Sequence, residues 1–211
     1  MNRREALFSA LVGMTGASLC VASVATRGED VKFDSMDDVL ESLSKARQAQ
    51  AFTDEAIDVD VLKKIVAFGD SALSHRNGRP RVLSVVTNRE LLKEIDAVAG
   101  LDSAKRLSFG GAPAAIIVSV TDDDSDFQHF AVGGTVERMI IAANLLGLQC
   151  KTVMAGLKQA NEDPIRTKLG IPDGFNAYIA LLIGKSESPL VDGMTGATSR
   201  EANDDKTKFV D

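Results

Sequence analysis

The sequence predicts one α/β domain of the α+β kind, in which helices flank a mixed central β-sheet. Apolar runs bounded by Gly and Pro are typical of buried strands. They alternate with segments in which apolar residues recur every three or four positions, as in amphipathic helices. The 211 residues suffice for one domain with its own core, and 45% hydrophobic with 26% charged residues is a globular composition. No internal repeat is present, so a single domain is expected.

The first two predicted elements are helices. Ser35 can cap a helix in which Leu40 and Leu43 follow at helical spacing. After a polar connection, either Asp58 or Asp60 caps a second helix, and the sequence leaves both candidates open.

The middle of the chain alternates strand and helix. A strand is predicted at 81–87, entered through Gly and Pro, and Asn88 caps the helix that follows it to about residue 98. The fully apolar run at 112–120 indicates a buried strand, which the acidic, solvated loop at 121–126 ends.

The longest predicted helix covers residues 126–147. Gly133 and Gly134 lie inside it, which predicts close packing against another helix, because glycine allows backbones to approach. The last elements are a short strand, a helix between a proline and a glycine, and a buried strand: 150–154, 164–170 and 175–185.

Residues 1–25 are predicted to be an export signal and residues 26–35 a linker. Arg3 and Arg4 form a basic start, an apolar stretch follows, and small residues end at Ala25, as signal peptidase requires. The paired arginines resemble a twin-arginine signal, and a Sec signal is the alternative. Since the stretch is about 20 residues long, an uncleaved membrane anchor is a further alternative. The expected location is the periplasm or another site outside the cytoplasm.

Charge and cysteine content exclude several classes of function. Cleavage after residue 25 removes two arginines and one glutamate, which changes the net charge from −6 to −7. No basic cluster follows residue 4, so nucleic-acid binding is not expected. Cys150 would be the one cysteine of the cleaved chain, and its apolar neighbours predict burial. His75 and His129 lack metal-ligand spacing, so no metal site is expected.

Five stretches, in order, resemble the nitroreductase family of FMN flavoproteins. They are ARQAQAFTDEAIDVDVLKKIV (46–66), SHRNGRP (74–80), GGAPAAIIV (110–118), AANLLGLQC (142–150) and LGIPDGFNAYIALLIGK (169–185). The resemblance covers about residues 40–185. It implies a nitroreductase-like fold, a homodimer with interlocked subunits, and FMN at the dimer interface.

The resemblance also implies three cofactor-binding residues. Arg47 lies in the segment that holds the FMN phosphate in the family, and Ser74 and Asn77 match the family's SxxNxQP, whose Asn contacts the isoalloxazine.

Other positions of this segment depart from the family pattern. Ala46 and Gln50 stand where arginine or lysine is usual, Gln48 stands where serine is usual, and the family's closing Lys-x-Arg is absent. Phosphate is normally held by guanidinium and hydroxyl donors, so weak binding of free FMN is expected. A cofactor-free relative is the alternative.

The C-terminal tail, residues 186–211, contains DGMTGAT at 192–198. This stretch resembles the recognition site of bacterial flavin transferases that act outside the cytoplasm and join FMN to the final threonine through a phosphodiester. The resemblance makes Thr198 the acceptor. The recognition residues would be Asp192, Thr195, Gly196 and Ala197. A polar terminus with a coincidental match is the alternative.

The export signal, the flavin-type fold and the tail motif agree on one function. We expect residues 36–185 to form the domain of an exported FMN-dependent redox protein, with FMN on Thr198. The flavin would carry the chemistry, so no catalytic side chain is assigned. Expected partners are a flavin transferase and either a redox protein or a small electron acceptor. A non-covalent FMN reductase and a flavin-free scaffold are the alternatives.

Overall fold

Among the described residues of this computed structural model, helices cover both faces of a four-stranded β-sheet. The structure describes residues 32–44, 46, 48–99, 109–121, 125–154 and 157–186. The helices are α1 (Met36–Ser44), α2 (Val59–Asp70), α3 (Arg89–Ala99), α4 (Asp126–Leu145) and α5 (Ile165–Leu169). The strands are β1 (Arg81–Val86), β2 (Ala114–Thr121), β3 (Gln149–Val153) and β4 (Phe175–Gly184).

The strand order is β1-β2-β4-β3, and each described ladder is antiparallel. The prediction of helices around a central sheet is confirmed, but the prediction of a mixed sheet is wrong for the described strands. Hydrophobic runs locate strands and their buried faces. They do not encode which strands become neighbours or in which direction, because buried parallel and antiparallel strands can have the same apolar pattern.

Two hydrophobic clusters lie on opposite faces of the sheet. In the central strand β2, Ala115 and Ile117 face the cluster that includes residues of α3 and α5. Ile116 and Val118 face the other cluster, which includes residues of α2 and α4. All four side chains are fully buried, as expected for a strand covered by helices on both faces.

Three helix starts have the predicted side-chain caps. Ser35 Oγ accepts the backbone amide three residues further on at 3.1 Å. Asp58 Oδ1 accepts the amide of Asp60 at 2.7 Å, which decides between the two candidate caps of α2. Asn88 Oδ1 accepts the amide of Glu90 at 2.9 Å at the start of α3.

Close packing between α2 and α4 takes place at a glycine other than the predicted pair. A Cβ on Gly69 of α2 would lie 3.0 Å from Met139 Sδ of α4, so a side chain there would displace that methionine. A Cβ on Gly133 would have no described atom within 4 Å, and one on Gly134 would make ordinary contact. The prediction that Gly133 and Gly134 allow close packing against another helix is therefore wrong within the described chain.

Several predictions fall outside the described residues. The signal at 1–25, most of the linker, Arg47 and the whole DGMTGAT motif are among them. Within the described ranges, no helix is long and apolar enough to cross a membrane.

Candidate functional site

The loop of residues 74–80 joins α2 to β1 and contains Ser74 and Asn77, two of the predicted site residues. Arg76, Asn77 and Arg79 have φ angles of 51°, 55° and 46°, a left-handed region that L-residues rarely adopt. Asparagine tolerates this conformation, whereas each arginine costs on the order of 1 kcal/mol. The loop therefore depends on its surroundings to hold this shape.

Hydrogen bonds inside the loop distinguish the roles of the two predicted residues. Ser74 Oγ accepts the backbone amide of Arg79 at 3.0 Å, and the Ser74 carbonyl accepts the amide of Asn77 at 3.0 Å. Ser74 is half-buried and shapes the loop, while Asn77 is exposed at its tip. Asn77 is thus exposed on a constrained backbone.

Two arginines from different elements anchor the turn that precedes this loop. Arg81 Nη2 of β1 donates to the carbonyls of Asp70 at 2.9 Å and Ala72 at 3.3 Å. Arg138 Nη1 of α4 donates to the carbonyl of Ser71 at 2.8 Å. Three successive carbonyls at the end of α2 are therefore held by charged donors, which form stronger hydrogen bonds than neutral ones.

The Arg81 guanidinium is buried, with a side-chain exposure of 0%. Burial lowers the pKa of Arg81, and the Asp70 carboxylate, 3.6 Å away, partly opposes this effect. Arg79 also pairs with Asp70, at 3.2 Å, so one carboxylate serves two guanidinium groups. Arginine stays protonated in proteins, so Arg81 is a buried cation.

Sequence reasoning missed both anchoring arginines. The Arg138 contact joins residues 67 positions apart, for which no local pattern exists. Arg81 opens an apolar strand directly after Pro80, and a charged residue there could have been noted as an unusual start to a buried strand. Its hydrogen-bond partners could not have been predicted.

The loop also contacts the start of α4. The rings of His75 and Phe127 stack with centroids 4.2 Å apart.

Among the described residues, no group of three His, Cys, Asp or Glu side chains could hold a metal ion.

The segment next to Arg47 lies at the edge of the sheet opposite to the loop at 74–80. Gln48 Nε2 donates to Thr152 Oγ1 at 3.0 Å, which ties this segment to the edge strand β3. The loop at 74–80 precedes the opposite edge strand, β1. Three interstrand spacings, about 14 Å, separate the two edges. The structure therefore does not bring these two parts of the predicted site into contact across the sheet.

Cys150 of β3 is buried, as predicted, with 4% exposure. Burial strongly raises the pKa of its thiol, so the thiolate is not formed at neutral pH. Cys150 is accordingly a packing residue without nucleophilic character.

Solved structures of nitroreductases are similar to this chain over most of its length. A nitroreductase with bound FMN from Desulfitobacterium hafniense DCB-2 has a TM-score of 0.69 at 19% identity, covering 84% of this chain and 100% of its own. A nitroreductase with bound FMN from Bacteroides fragilis has a TM-score of 0.65 at 22% identity, covering 82% and 98%. A nitroreductase-like protein from Streptococcus mutans has a TM-score of 0.67 at 15% identity, covering 84% and 100%.

The chain has the nitroreductase fold. No protein-family model matches the sequence, and no curated protein matches it significantly. The fold expected from the five sequence stretches is thereby confirmed.

Proposed function

We propose that this chain is an exported redox flavoprotein that carries FMN covalently on Thr198. The observation that carries the proposal is the motif DGMTGAT at 192–198 in a chain with the nitroreductase fold. The motif supplies an acceptor hydroxyl, and two similar structures bind FMN. Neither feature alone would support a covalent flavin in this protein.

The described residues fit an isoalloxazine ring better than a phosphate. Asn77 offers an exposed amide, with both donor and acceptor groups, to the polar edge of the ring. In the opening segment, Ala46 has no donor on its side chain, and the Gln48 amide is already bonded to Thr152. A covalent link through Thr198 would hold the phosphate in place of side-chain hydrogen-bond donors, which are few among the described residues of this segment.

Bound FMN would supply the electron transfer itself. The contribution of this chain is to hold the loop at 74–80 in its left-handed conformation through Arg81 and Arg138, so that Asn77 keeps its position. Outside the cytoplasm, we propose a membrane or soluble redox protein as electron donor, and either a partner protein or a small molecule as acceptor.

A homodimer is part of the proposal, and one face of α4 supports it. Phe127 and Phe130 are 59% and 67% exposed, and Gly133 lies three residues further on with open space before it. Leu73, beside the loop, is 72% exposed. A second copy would cover these apolar side chains, and Gly133 would let its backbone approach.

The decisive experiment is the intact mass of the protein, exported from cells that also make a flavin transferase. The expected result is a gain of one FMN less one water, with flavin fluorescence on a denaturing gel. Thr198→Ala should abolish both signals, and the matched control Ser199→Ala should retain them. An unmodified chain that still purifies with dissociable FMN would support a non-covalent reductase instead, and a colourless chain would support a flavin-free scaffold.

Sedimentation velocity tests the homodimer separately. Phe130→Asp should shift the protein towards monomer, because it places a charge in the proposed apolar interface. Val59→Asp, at an apolar residue of α2 that is 56% exposed, is the matched control and should leave the dimer intact. A monomeric parent protein would contradict the assignment.

A further inference from the structure

Asn77, at the tip of the loop at 74–80, is followed by Gly78, and both residues are exposed. The chain has seven asparagines, at 2, 77, 88, 144, 161, 176 and 203, and only the one at 77 precedes a glycine. An asparagine followed by glycine is labile, because the next backbone nitrogen attacks its side-chain carbonyl and no Cβ hinders the attack. The tip of the loop therefore carries a reactive pair of residues.

The side chain of Asn77 is less protected than those of two other asparagines. Asn88 Oδ1 accepts the backbone amide of Glu90, and Asn161 Oδ1 accepts the backbone amide of Ala177. Among the described residues, the side-chain amide of Asn77 has no hydrogen-bond partner. Its amide carbon is therefore open to attack and to water.

The attacking nitrogen, in contrast, is engaged in a hydrogen bond. The backbone amide of Gly78 donates to the carbonyl of His75 at 2.9 Å. Attack requires this amide to lose its proton and to turn towards Cγ of Asn77, and the hydrogen bond opposes both. The turn must therefore open before the reaction starts, so that local opening governs the rate.

The surroundings of the loop determine how often it opens. Opening relieves the strain of Arg76 and Arg79, which have left-handed backbone. It is opposed by Arg138, whose Nη1 donates to the carbonyl of Ser71 at 2.8 Å just before the loop. Once the loop is open, the two exposed loop arginines favour the reaction, because their positive charge stabilises the negative charge that develops on the attacking nitrogen beside Asn77.

We propose that Asn77–Gly78 is a self-modifying site whose rate is set by the opening of the loop. In the open loop, hydroxide removes the proton of the Gly78 amide, and the nitrogen forms a bond to Cγ of Asn77. The Cγ–Nδ2 bond breaks, its nitrogen takes a proton from water, and ammonia leaves behind a cyclic succinimide. Water then adds to one of the succinimide carbonyls, which gives aspartate or isoaspartate at position 77.

The product carries a negative charge where the parent protein has a neutral amide. In the flavin site proposed above, this change would remove the hydrogen-bond donor that Asn77 offers to the ring, a consequence that rests on the proposed function. The reaction itself needs only water and hydroxide. Its test therefore uses protein without flavin, and its outcome is separate from that of the proposed function.

The test follows Asn77 by peptide mass spectrometry while the full chain is incubated at mildly alkaline pH, once folded and once unfolded in urea. Conversion replaces NH₂ by OH, and chromatography separates the isoaspartyl peptide from the aspartyl peptide. In urea, residue 77 should convert before every other asparagine, and Gly78→Ala should slow this conversion, because a Cβ hinders the attack. In the folded chain, conversion should be at least about tenfold slower, because the open loop is a minor population.

Arg138→Met separates the opening of the loop from the chemistry of the pair. It removes the anchor before the loop and should speed conversion in the folded chain by about fivefold to thirtyfold, with no change in urea. Arg89→Met, which breaks a surface ion pair with Asp54, is the matched control and should leave the rate unchanged. Ser74→Ala removes the acceptor of the Arg79 amide within the loop and should also speed conversion, which keeps the test decisive if Arg138→Met does not fold.

Three outcomes would overturn the proposal. Faster conversion of another asparagine in urea would show that this pair is not the labile site. Equal rates in the folded and the unfolded parent protein would show that the loop does not control the reaction. Equal rates in the folded parent protein and in the folded Arg138 and Ser74 variants would show that these contacts do not limit opening.

Discussion

Replacing Gly184 by alanine is expected to destabilise the protein by about 1–2 kcal/mol. A Cβ at this last residue of β4 would lie 2.7 Å from Phe52 Cδ1 and 2.8 Å from Pro113 Cδ. Overpacking a core costs about 1–3 kcal/mol, and the lower chain entropy of alanine in the unfolded state returns about 0.5–1 kcal/mol. The proline ring cannot rotate away, so the neighbouring backbone must shift.

Urea unfolding followed by far-UV circular dichroism measures this change, since the chain has no Trp and one Tyr to serve as a fluorescent probe. The midpoint should fall with an unchanged slope, and the melting temperature should drop by about 2–8 °C. In a Pro113→Ala background, Gly184→Ala should cost about 1 kcal/mol less, because two of the three close contacts are gone. An equal cost in both backgrounds, or no cost, would refute the reasoning.

Three further predictions concern single side chains. Asp58→Ala should lower the free energy of unfolding by about 1 kcal/mol and Asp60→Ala by less than about 0.5 kcal/mol, since only Asp58 caps α2; equal effects in urea unfolding would contradict this. Arg138→Met should cost about 1–2 kcal/mol and speed amide hydrogen exchange in the loop before β1, because it removes donors from Ser71; unchanged exchange would count against the anchor. The Cys150 thiol should resist iodoacetamide at pH 8 until the protein unfolds. Burial raises the pKa of this thiol in the folded state, so its contribution to stability is complete below about pH 8.5. Above that pH the free energy of unfolding should fall by up to about 1.4 kcal/mol per pH unit. Urea unfolding of Cys150→Ala should lack this part of the pH dependence.

The fold was predictable because its elements have strong local patterns. The buried strand β2 is a mostly apolar run, and the ends of α5 are marked by Pro164 and by Gly170, which has a φ of 64°. The cap at Asn88 placed the start of α3, and Asp58 was one of two candidate caps for α2. Strand direction was not predictable, because it depends on pairing between distant segments and leaves no trace in hydrophobic periodicity.

The candidate site was predictable only in part. A motif comparison identified Ser74 and Asn77, and the structure places both in one constrained loop. The features that constrain the loop come from β1 and α4, and a contact across 67 positions has no signature in a single sequence. The role of Gly69 could not be predicted for the same reason. Its lack of a side chain makes room for Met139 of α4, which lies 70 residues further along the chain.

The anchor of the loop has a consequence for the conditions under which the protein can work. Its hydrogen bonds to residues 70–72 join guanidinium donors to backbone carbonyls, and neither group changes protonation between about pH 4 and pH 10. A turn held by histidines or carboxylates would loosen somewhere in that interval. These hydrogen bonds should keep the same geometry in acidic and alkaline surroundings.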